Sequence, residues 1–250
     1  MLVLVTGASA GFGRALSIEL VRRGHRVIAC ARRAERLQAL QAELGDALYP
    51  LHFDIQDITA MQAAIHSLPA AWQDIDVLIN NAGLALGLDM AQEAQLDDWL
   101  QMIDTNIRGL AAMTNLILPR LVKNNRGHII NLSSTAANYA YPGSNVYGAS
   151  KAFVKQFSLN LRADLYGTAV RVSNIEPGLI SGTEFSAVRF HGDQARADSV
   201  YQGVQNISPE EMADIIIWCA ELPPHININR LEVMPTAQSF AGLKVYKSET

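Results

Sequence analysis

The strongest constraint on the fold lies at the start of the chain, where Leu2-Val3-Leu4-Val5 runs into Thr6-Gly7-Ala8-Ser9-Ala10-Gly11-Phe12-Gly13. A short apolar run bounded by a glycine turn reads as a buried strand. An amphipathic helix follows, with Ala15, Leu16, Ile18, Leu20 and Val21 before Arg22-Arg23-Gly24, and Val27–Ala31 reads as a second strand. Strand, glycine loop, helix, strand is a βαβ unit, in which the strands pair in parallel. The glycines are spaced G-x-x-x-G-x-G rather than G-x-G-x-x-G. Either spacing permits a tight turn and lets a pyrophosphate approach the backbone at a helix N-terminus. The plain alternative is an ordinary strand-to-helix turn, but a glycine triplet in the first such turn favours nucleotide binding.

The end of the second strand distinguishes between dinucleotides. A carboxylate about 20 residues past the glycines would accept the ribose 2′-hydroxyl of NAD. No Asp or Glu lies between Glu19 and Glu35, and the position reads Cys30-Ala31-Arg32-Arg33. Guanidinium groups suit a 2′-phosphate. The alternative, two arginines decorating a helix start, is disfavoured because cations there oppose the helix dipole. The expected cofactor is NADP.

The alternation continues along the chain. Strands are expected at Ala47–Phe53, Asp76–Ile79, His128–Leu132, Ala169–Ile175 and Leu231–Met234. Helices are expected at Ile58–Leu68, Trp99–Leu121 (interrupted near Pro119), Val146–Tyr166 and Pro209–Ala220. This pattern predicts one α/β domain over residues 1–250, a doubly wound parallel sheet of about seven strands with helices on both faces. A length of 250 residues with 49% hydrophobic and 18% charged residues suffices for such a core. A polar, charge-mixed stretch at 183–207 reads as a lid over a substrate. The tail from Pro235, carrying Phe240 and Tyr246, is apolar enough to dock on a neighbouring subunit.

Composition excludes several functions. A net charge of −4, with no basic run longer than Arg22-Arg23 or Arg32-Arg33, argues against nucleic acid. The six histidines show no ligand spacing, so no metal is expected. Cys30 and Cys219 read as small buried hydrophobes in a reducing compartment. The chain starts directly on its first strand, with no signal or spanning segment, so a cytoplasmic protein without membrane contact is expected.

Loops at the C-terminal ends of parallel strands are where ligands gather. Asp54, after the third strand, could accept from an adenine amine, with Ile55 packing on the base. Asn81-Ala82-Gly83 could bring backbone close to a ribose, or Asn80 and Asn81 could simply satisfy loop backbone groups. A helix-interior Asn106 can bond back to the backbone or bind a water. The fifth strand stops at Ser133-Ser134, and the next helix carries Tyr147 and Lys151 one turn apart on one face. A cation near the phenol would lower its pKa from about 10 and make it a proton donor or acceptor near neutral pH. Alone, the spacing is also that of a helix with an ordinary exposed lysine.

Together these residues resemble the short-chain dehydrogenase/reductase family along the whole chain. The likeness rests on Thr6-Gly7-x-x-x-Gly11-x-Gly13, Asn80-Asn81-Ala82-Gly83, Asn106, Ser134, Tyr147-x-x-x-Lys151 and Pro177-Gly178. Arg32-Arg33, Ile175-Glu176-Pro177-Gly178, Gly182-Thr183-Glu184-Phe185 and the stretch from Asn227-Ile228-Asn229 to Pro235 look most similar to its NADP-dependent 3-hydroxy acid dehydrogenase branch. The resemblance implies a Rossmann fold, with Tyr147 as catalytic acid/base and Lys151 lowering its pKa while binding the nicotinamide ribose. It also implies that Ser134 orients the substrate oxygen and that Asn106 holds a water linking Lys151 to solvent. The implied cofactor set is Gly7, Ser9, Ala10, Gly11, Phe12, Gly13, Arg32, Arg33, Asp54, Ile55, Asn81, Tyr147, Lys151, Pro177, Gly178, Thr183 and Phe185. The chain departs from the family pattern at Phe12, at the serine doublet, and by one extra residue before Thr183, which weakens the threonine's assignment. Ser134 is preferred to Ser133 because thirteen residues separate it from Tyr147.

The activity implied is NADP-dependent oxidation of small 3-hydroxy acids such as L-serine, L-allo-threonine or 3-hydroxypropanoate, with semialdehyde reduction in reverse. A carboxylate substrate needs a cation in the pocket, and Arg189 is the candidate; a solvated lid arginine is the alternative. Two other readings stay open: a carbonyl reductase of neutral ketones or sugars, and a cofactor-sensing regulator without chemistry. Apolar residues on several sides of the two long helices, together with the resemblance, imply a homotetramer.

Overall fold

Seven strands form one sheet in the order β3-β2-β1-β4-β5-β6-β7, with every pairing parallel. They are β1 (Leu2–Thr6), β2 (Arg26–Ala31), β3 (Leu48–His52), β4 (Val77–Asn80), β5 (Gly127–Leu132), β6 (Val170–Pro177) and β7 (Arg230–Val233). The structure is a computed structural model and describes residues 1–240. Strand order runs outward from β1 in one direction and from β4 in the other. The switch point therefore falls between β1 and β4, where the C-terminal strand ends splay to form a crevice.

The alternating residues of each strand feed two cores. Val3 and Val5 of β1 join Val27, Ala29, Ile79, Ile130 and Ile175 on one face. Helices α1 (Gly11–Arg22), α2 (Ala34–Leu44) and α9 (Pro209–Glu221) cover that face through Leu16, Leu20, Leu37, Leu40, Met212 and Ile216. Leu2 and Leu4 join Ile28, Leu78, Ile129 and Val172 on the other face. There α3 (Ile58–His66), α5 (Leu110–Lys123) and α6 (Asn145–Asp164) pack through Met61, Ile65, Met113, Ile117 and Leu161. Strands buried on both faces must read as continuous apolar runs, as Leu2–Val5 does. The doubly wound, seven-stranded Rossmann arrangement read from the sequence is the one observed.

One boundary differs from expectation. The long helix expected at Trp99–Leu121 is α4 (Leu96–Ile103), a wide π-type segment (Asp104–Gly109), then α5. The break thus falls at Asn106, and Pro119 sits inside an unbroken α5. Removing one backbone hydrogen bond there costs about 3 kcal/mol. Ile117 and Leu121, buried at 0% and 1% exposure, each return about 1.5–3 kcal/mol by packing on the sheet. The polar stretch after Thr183 folds into two short helices, α7 (Phe185–Arg189) and α8 (Gln194–Ser199). Residues 235–240 run back over their own chain: Gln238 Oε1 accepts from the Leu179 N–H at 2.6 Å, and Phe240 packs on Tyr139 in a tilted pair with centroids 4.8 Å apart. Tyr246, the other aromatic expected to dock on a neighbour, lies outside the described residues.

Candidate active site

The glycine loop is shaped by steric need. Gly7 (φ +69°) and Gly11 (φ +50°) hold conformations that L side chains rarely adopt. A Cβ on Gly13 would stand 2.3 Å from the Gly7 carbonyl oxygen, so helix α1 can begin against β1 only with glycine at that position. Asn81 supports the loop from β4: its Nδ2 donates to the Thr6 carbonyl at 2.7 Å, and Thr6 Oγ1 accepts from the N–H groups of Asn81 and Ala82 at 3.0 Å. Asn80 donates to Thr114 and Asn131 in the core. The asparagine side chains thus serve the loop and the core, although Asn81 also lines the cavity.

That cavity, about 480 Å³, runs from the glycine loop to the end of β5, a size ordinary for small-ligand sites. Ser9, Ala10, Phe12, Arg32, Arg33, Asp54, Ile55, Pro177, Gly178, Thr183 and Phe185 line it. Arg33 forks onto Ser9 Oγ through Nε and Nη2 (3.1 and 3.0 Å) and pairs through Nη1 with Glu184 at 2.8 Å. Arg36 joins the same carboxylate at 2.7 Å. Both hydrogen bonds lower the Glu184 pKa, so the carboxylate stays charged between two cations. Arg32 is 60% exposed, 3.9 Å from Asp54. Thr183 packs against Gly11, whose added Cβ would meet it at 3.4 Å.

At the far end, Ser134, Tyr147 and Lys151 line the same cavity. Ser133 donates to the Lys151 carbonyl at 2.7 Å, which ties up its hydroxyl, whereas Ser134 accepts from the Ala136 N–H at 3.1 Å and makes only a long, 3.5 Å bond to the Pro177 carbonyl. Of the two serines, Ser134 has the less committed hydroxyl. Lys151 is buried and donates to the Leu132 carbonyl at 2.9 Å. Asn106 donates to the Leu84 carbonyl (2.8 Å) and to Ser150 (3.0 Å), and accepts from the Leu84 N–H (2.9 Å). It thereby clamps the loop after β4. A Cβ on Gly83 would lie 3.1 Å from Lys151 Nζ and 3.3 Å from Asn106 Oδ1, so glycine lets these groups close on the loop.

The electrostatics of the pair correct one expectation. Burial pushes the Tyr147 pKa up to about 12, an effect that nearby Ser134 and the charge of Arg189 only partly offset. Lys151 does not depress it in this geometry: its Nζ stands 5.9 Å from the ring centre and is committed to a carbonyl. Burial in turn pulls Lys151 down to about 8. Removing water from a would-be phenolate outweighs the Ser134 hydrogen bond and the Arg189 charge together. At neutral pH Tyr147 is a phenol, ready to donate.

The wall of the cavity formed after Thr183 sets Glu184, Ser186 and Arg189 among Phe185, Val188, Phe190 and Val200. Arg189 donates through Nε to the Gly87 carbonyl (3.2 Å) and through Nη2 to the Tyr141 hydroxyl (3.1 Å), and its guanidinium lies 5.6 Å from the Tyr147 ring centre. It faces the site rather than solvent. Phe185 packs on Tyr147 at 5.8 Å. Tyr141 and the hydrogen-bonded pair Ser186–Tyr201 (2.6 Å) also line the cavity and were not anticipated. Tyr141 lies in the loop between Ser134 and Tyr147, a placement that could have singled it out. Among the described residues, no cluster of His, Cys, Asp and Glu could hold a metal, and no helix is long and apolar enough to cross a membrane.

A parallel sheet with a glycine-cradled crevice, continuous with a half-buried Ser134 and a buried Tyr147 and Lys151, defines an oxidoreductase-type α/β enzyme. The pattern described as short chain dehydrogenase matches residues 1–194. The chain belongs to the short-chain dehydrogenase family. It is 59% identical over 246 residues to a probable NADP-dependent dehydrogenase of Haemophilus influenzae, covering 98% of both. It is 55% identical over 247 residues to the NADP-dependent 3-hydroxy acid dehydrogenase of Escherichia coli K12, covering 99% of this chain and all of the relative. The closed form of a serine dehydrogenase complexed with NADP+ superposes with a TM-score of 0.98 at 54% identity, covering 99% and 100% of the two chains.

Proposed function

We propose that this enzyme oxidises small 3-hydroxy acids with NADP and, in reverse, reduces the corresponding semialdehydes. The relatives named for 3-hydroxy acid and serine dehydrogenation, at 52% to 56% identity over nearly the full chain, support this reading. The residues fit a phosphorylated dinucleotide. A Cβ would fill the Gly7–Gly13 cradle, and Arg32, Arg33 and Arg36 gather cations at the end of β2, where an NAD enzyme would carry an acid. In the proposal Ser9, Ala10, Gly11 and Phe12 flank the phosphates, Arg32 and Arg33 hold the 2′-phosphate, and Asp54 and Ile55 flank the base. Asn81, Pro177, Gly178, Thr183 and Phe185 complete the wall. Bound NADP supplies the hydride acceptor, or as NADPH the donor.

This chain's residues orient the substrate and move the proton. Ser134 hydrogen-bonds the substrate oxygen. Tyr147 donates its phenol proton to that oxygen during reduction and, as the phenolate left after the proton passes on to solvent, takes one back during oxidation. Lys151, with its pKa brought to about 8 by burial, is poised to exchange protons near neutrality. Asn106 holds the Leu84 loop beside it and is the proposed contact for a water leading to solvent. Residues 183–207 act as the lid of a single domain. A homotetramer is supported by exposed apolar residues Leu96 and Leu100 on α4 and Phe153 on α6. A cytoplasmic setting is supported by Cys30 and Cys219, both buried and unpaired.

The observation that carries the substrate class is Arg189, anchored by Gly87 and Tyr141 with its charge over the Tyr147 ring. A cation one ring away from the proton donor suits the carboxylate of a short hydroxy acid. Turnover of a 3-hydroxy acid and its methyl ester should favour the acid in the wild type. Arg189→Ala should lose at least about tenfold of that preference, the worth of one charge-assisted hydrogen bond. Equal turnover of acid and ester by the wild type would overturn the carboxylate clamp.

A further inference from the structure

We propose that Glu176, Asn138 and Arg230 form a positioning assembly that holds Ser134 in register from the C-terminal strand. The inference rests on the reading of Ser134 as the residue that orients the substrate oxygen. Glu176 is completely buried near the end of β6, two residues before Gly178. Its carboxylate accepts four hydrogen bonds. Arg230 of β7 reaches it bidentately, Nε to Oε1 and Nη2 to Oε2, both at 2.9 Å. Asn174 donates to Oε1 and Asn138 to Oε2, each at 2.6 Å. Asn138 is the hub of the cluster. Its Nδ2 also donates to Glu232 Oε2 at 2.7 Å, and its Oδ1 accepts from Lys155 Nζ at 2.8 Å and Arg230 Nη2 at 3.2 Å.

The hub ends the single turn that Ser134 begins. Thr135–Ala137 is one 3₁₀ turn, with Ser134 at its N-cap and Asn138 just past its end. Ser134 Oγ accepts from the Ala136 N–H at one end, and the Asn138 N–H donates to the Thr135 carbonyl at the other. The Ser134 hydroxyl faces the carbonyl of Pro177, the residue next to Glu176. These contacts close a ring from Ser134 through its turn to Asn138, across to Glu176, and back along β6 to Pro177. A one-turn helix has little rigidity of its own. Here it is pinned at one end by the sheet and at the other by a buried carboxylate. Burying that charge with its partner is costly, and an apolar pair of similar volume is often at least as stable. What the ion pair adds is direction, because the bidentate fork and the amide fix where Asn138, and with it the turn, can sit. The terminal strand β7, which lies beyond the family-matched residues 1–194, thereby takes part in setting the catalytic geometry.

The test is a double-mutant cycle between the assembly and the serine, with NADPH affinity and thermal stability measured on every protein. Asn138→Ala leaves the Glu176–Arg230 pair in place and should lower kcat by about tenfold while NADPH affinity changes less than about twofold. In a Ser134→Ala background the same substitution should change kcat less than about twofold, because its effect passes through the serine. Glu176→Gln should behave alike where it folds; where it does not, Asn138→Ala decides. Equal kcat losses from Asn138→Ala in both backgrounds, or a loss matched by weakened NADPH binding, would overturn the inference while leaving the reading of Ser134 intact. A Ser134→Ala enzyme with wild-type kcat would instead overturn that reading, and this inference with it.

Discussion

The two ends of the cavity are built by opposite means. The glycine-loop end is shaped by backbone: Gly7 and Gly11 adopt positive φ, Gly13 permits contact with the Gly7 carbonyl, and the cations beside them are at least partly exposed. At the other end side chains set the chemistry, with Tyr147 and Lys151 withdrawn from water and their pKa values moved to about 12 and about 8. An exposed arginine keeps its charge whatever surrounds it, which suits the proposed selection of a phosphate. A buried phenol and amine are tuned by their surroundings, which suits the proposed transfer of a proton. Substitutions at the first end should therefore read out in binding, and those at the second in turnover.

The sharpest way to break this contrast is Tyr147→Phe. Removing one hydroxyl from the buried end should lower kcat by about 10²–10⁴-fold, the usual reach of a general acid or base, while NADPH binding measured by fluorescence stays intact. Retained turnover would remove the proton-transfer role. At the other end, Arg32→Ala combined with Arg33→Ala should weaken NADP binding by roughly tenfold to a hundredfold relative to NAD, on the scale of one or two charge-assisted bonds. The kcat with saturating cofactor should fall far less. An unchanged NADP-to-NAD ratio would dissolve the distinction between the two ends. The smallest and most diagnostic effect is the roughly tenfold, serine-dependent loss expected for Asn138→Ala.

The same contrast explains what could be read from the sequence. Positions that depend on chain geometry were visible as spacing: the glycines, the Arg32-Arg33 pair where a carboxylate would otherwise stand, and Tyr147 one turn before Lys151. Strand and helix order followed from apolar runs that must be buried on both faces. Properties that depend on what surrounds a residue were not visible. The sign of the Tyr147 shift reversed because burial, which spacing does not encode, outweighed the Ser134 hydrogen bond and the Arg189 charge, while Lys151 turned to a backbone carbonyl. The helix break fell at Asn106 rather than Pro119 because packing carried α5 past the proline, while Asn106 is bonded to the Leu84 loop. Glu176 was legible only as part of a motif. Its partners Asn138 and Arg230 lie 38 and 54 residues away, joined by the sheet.

The central claim, an NADP-linked site for short hydroxy acids, is tested most directly by following NADPH formation with a panel of alcohols. L-serine, L-allo-threonine and 3-hydroxypropanoate should each give steady NADPH production, with far less from neutral alcohols or sugars and far less when NAD replaces NADP. Comparable or higher kcat/KM for the neutral compounds would contradict the account and favour a general carbonyl reductase on the same fold.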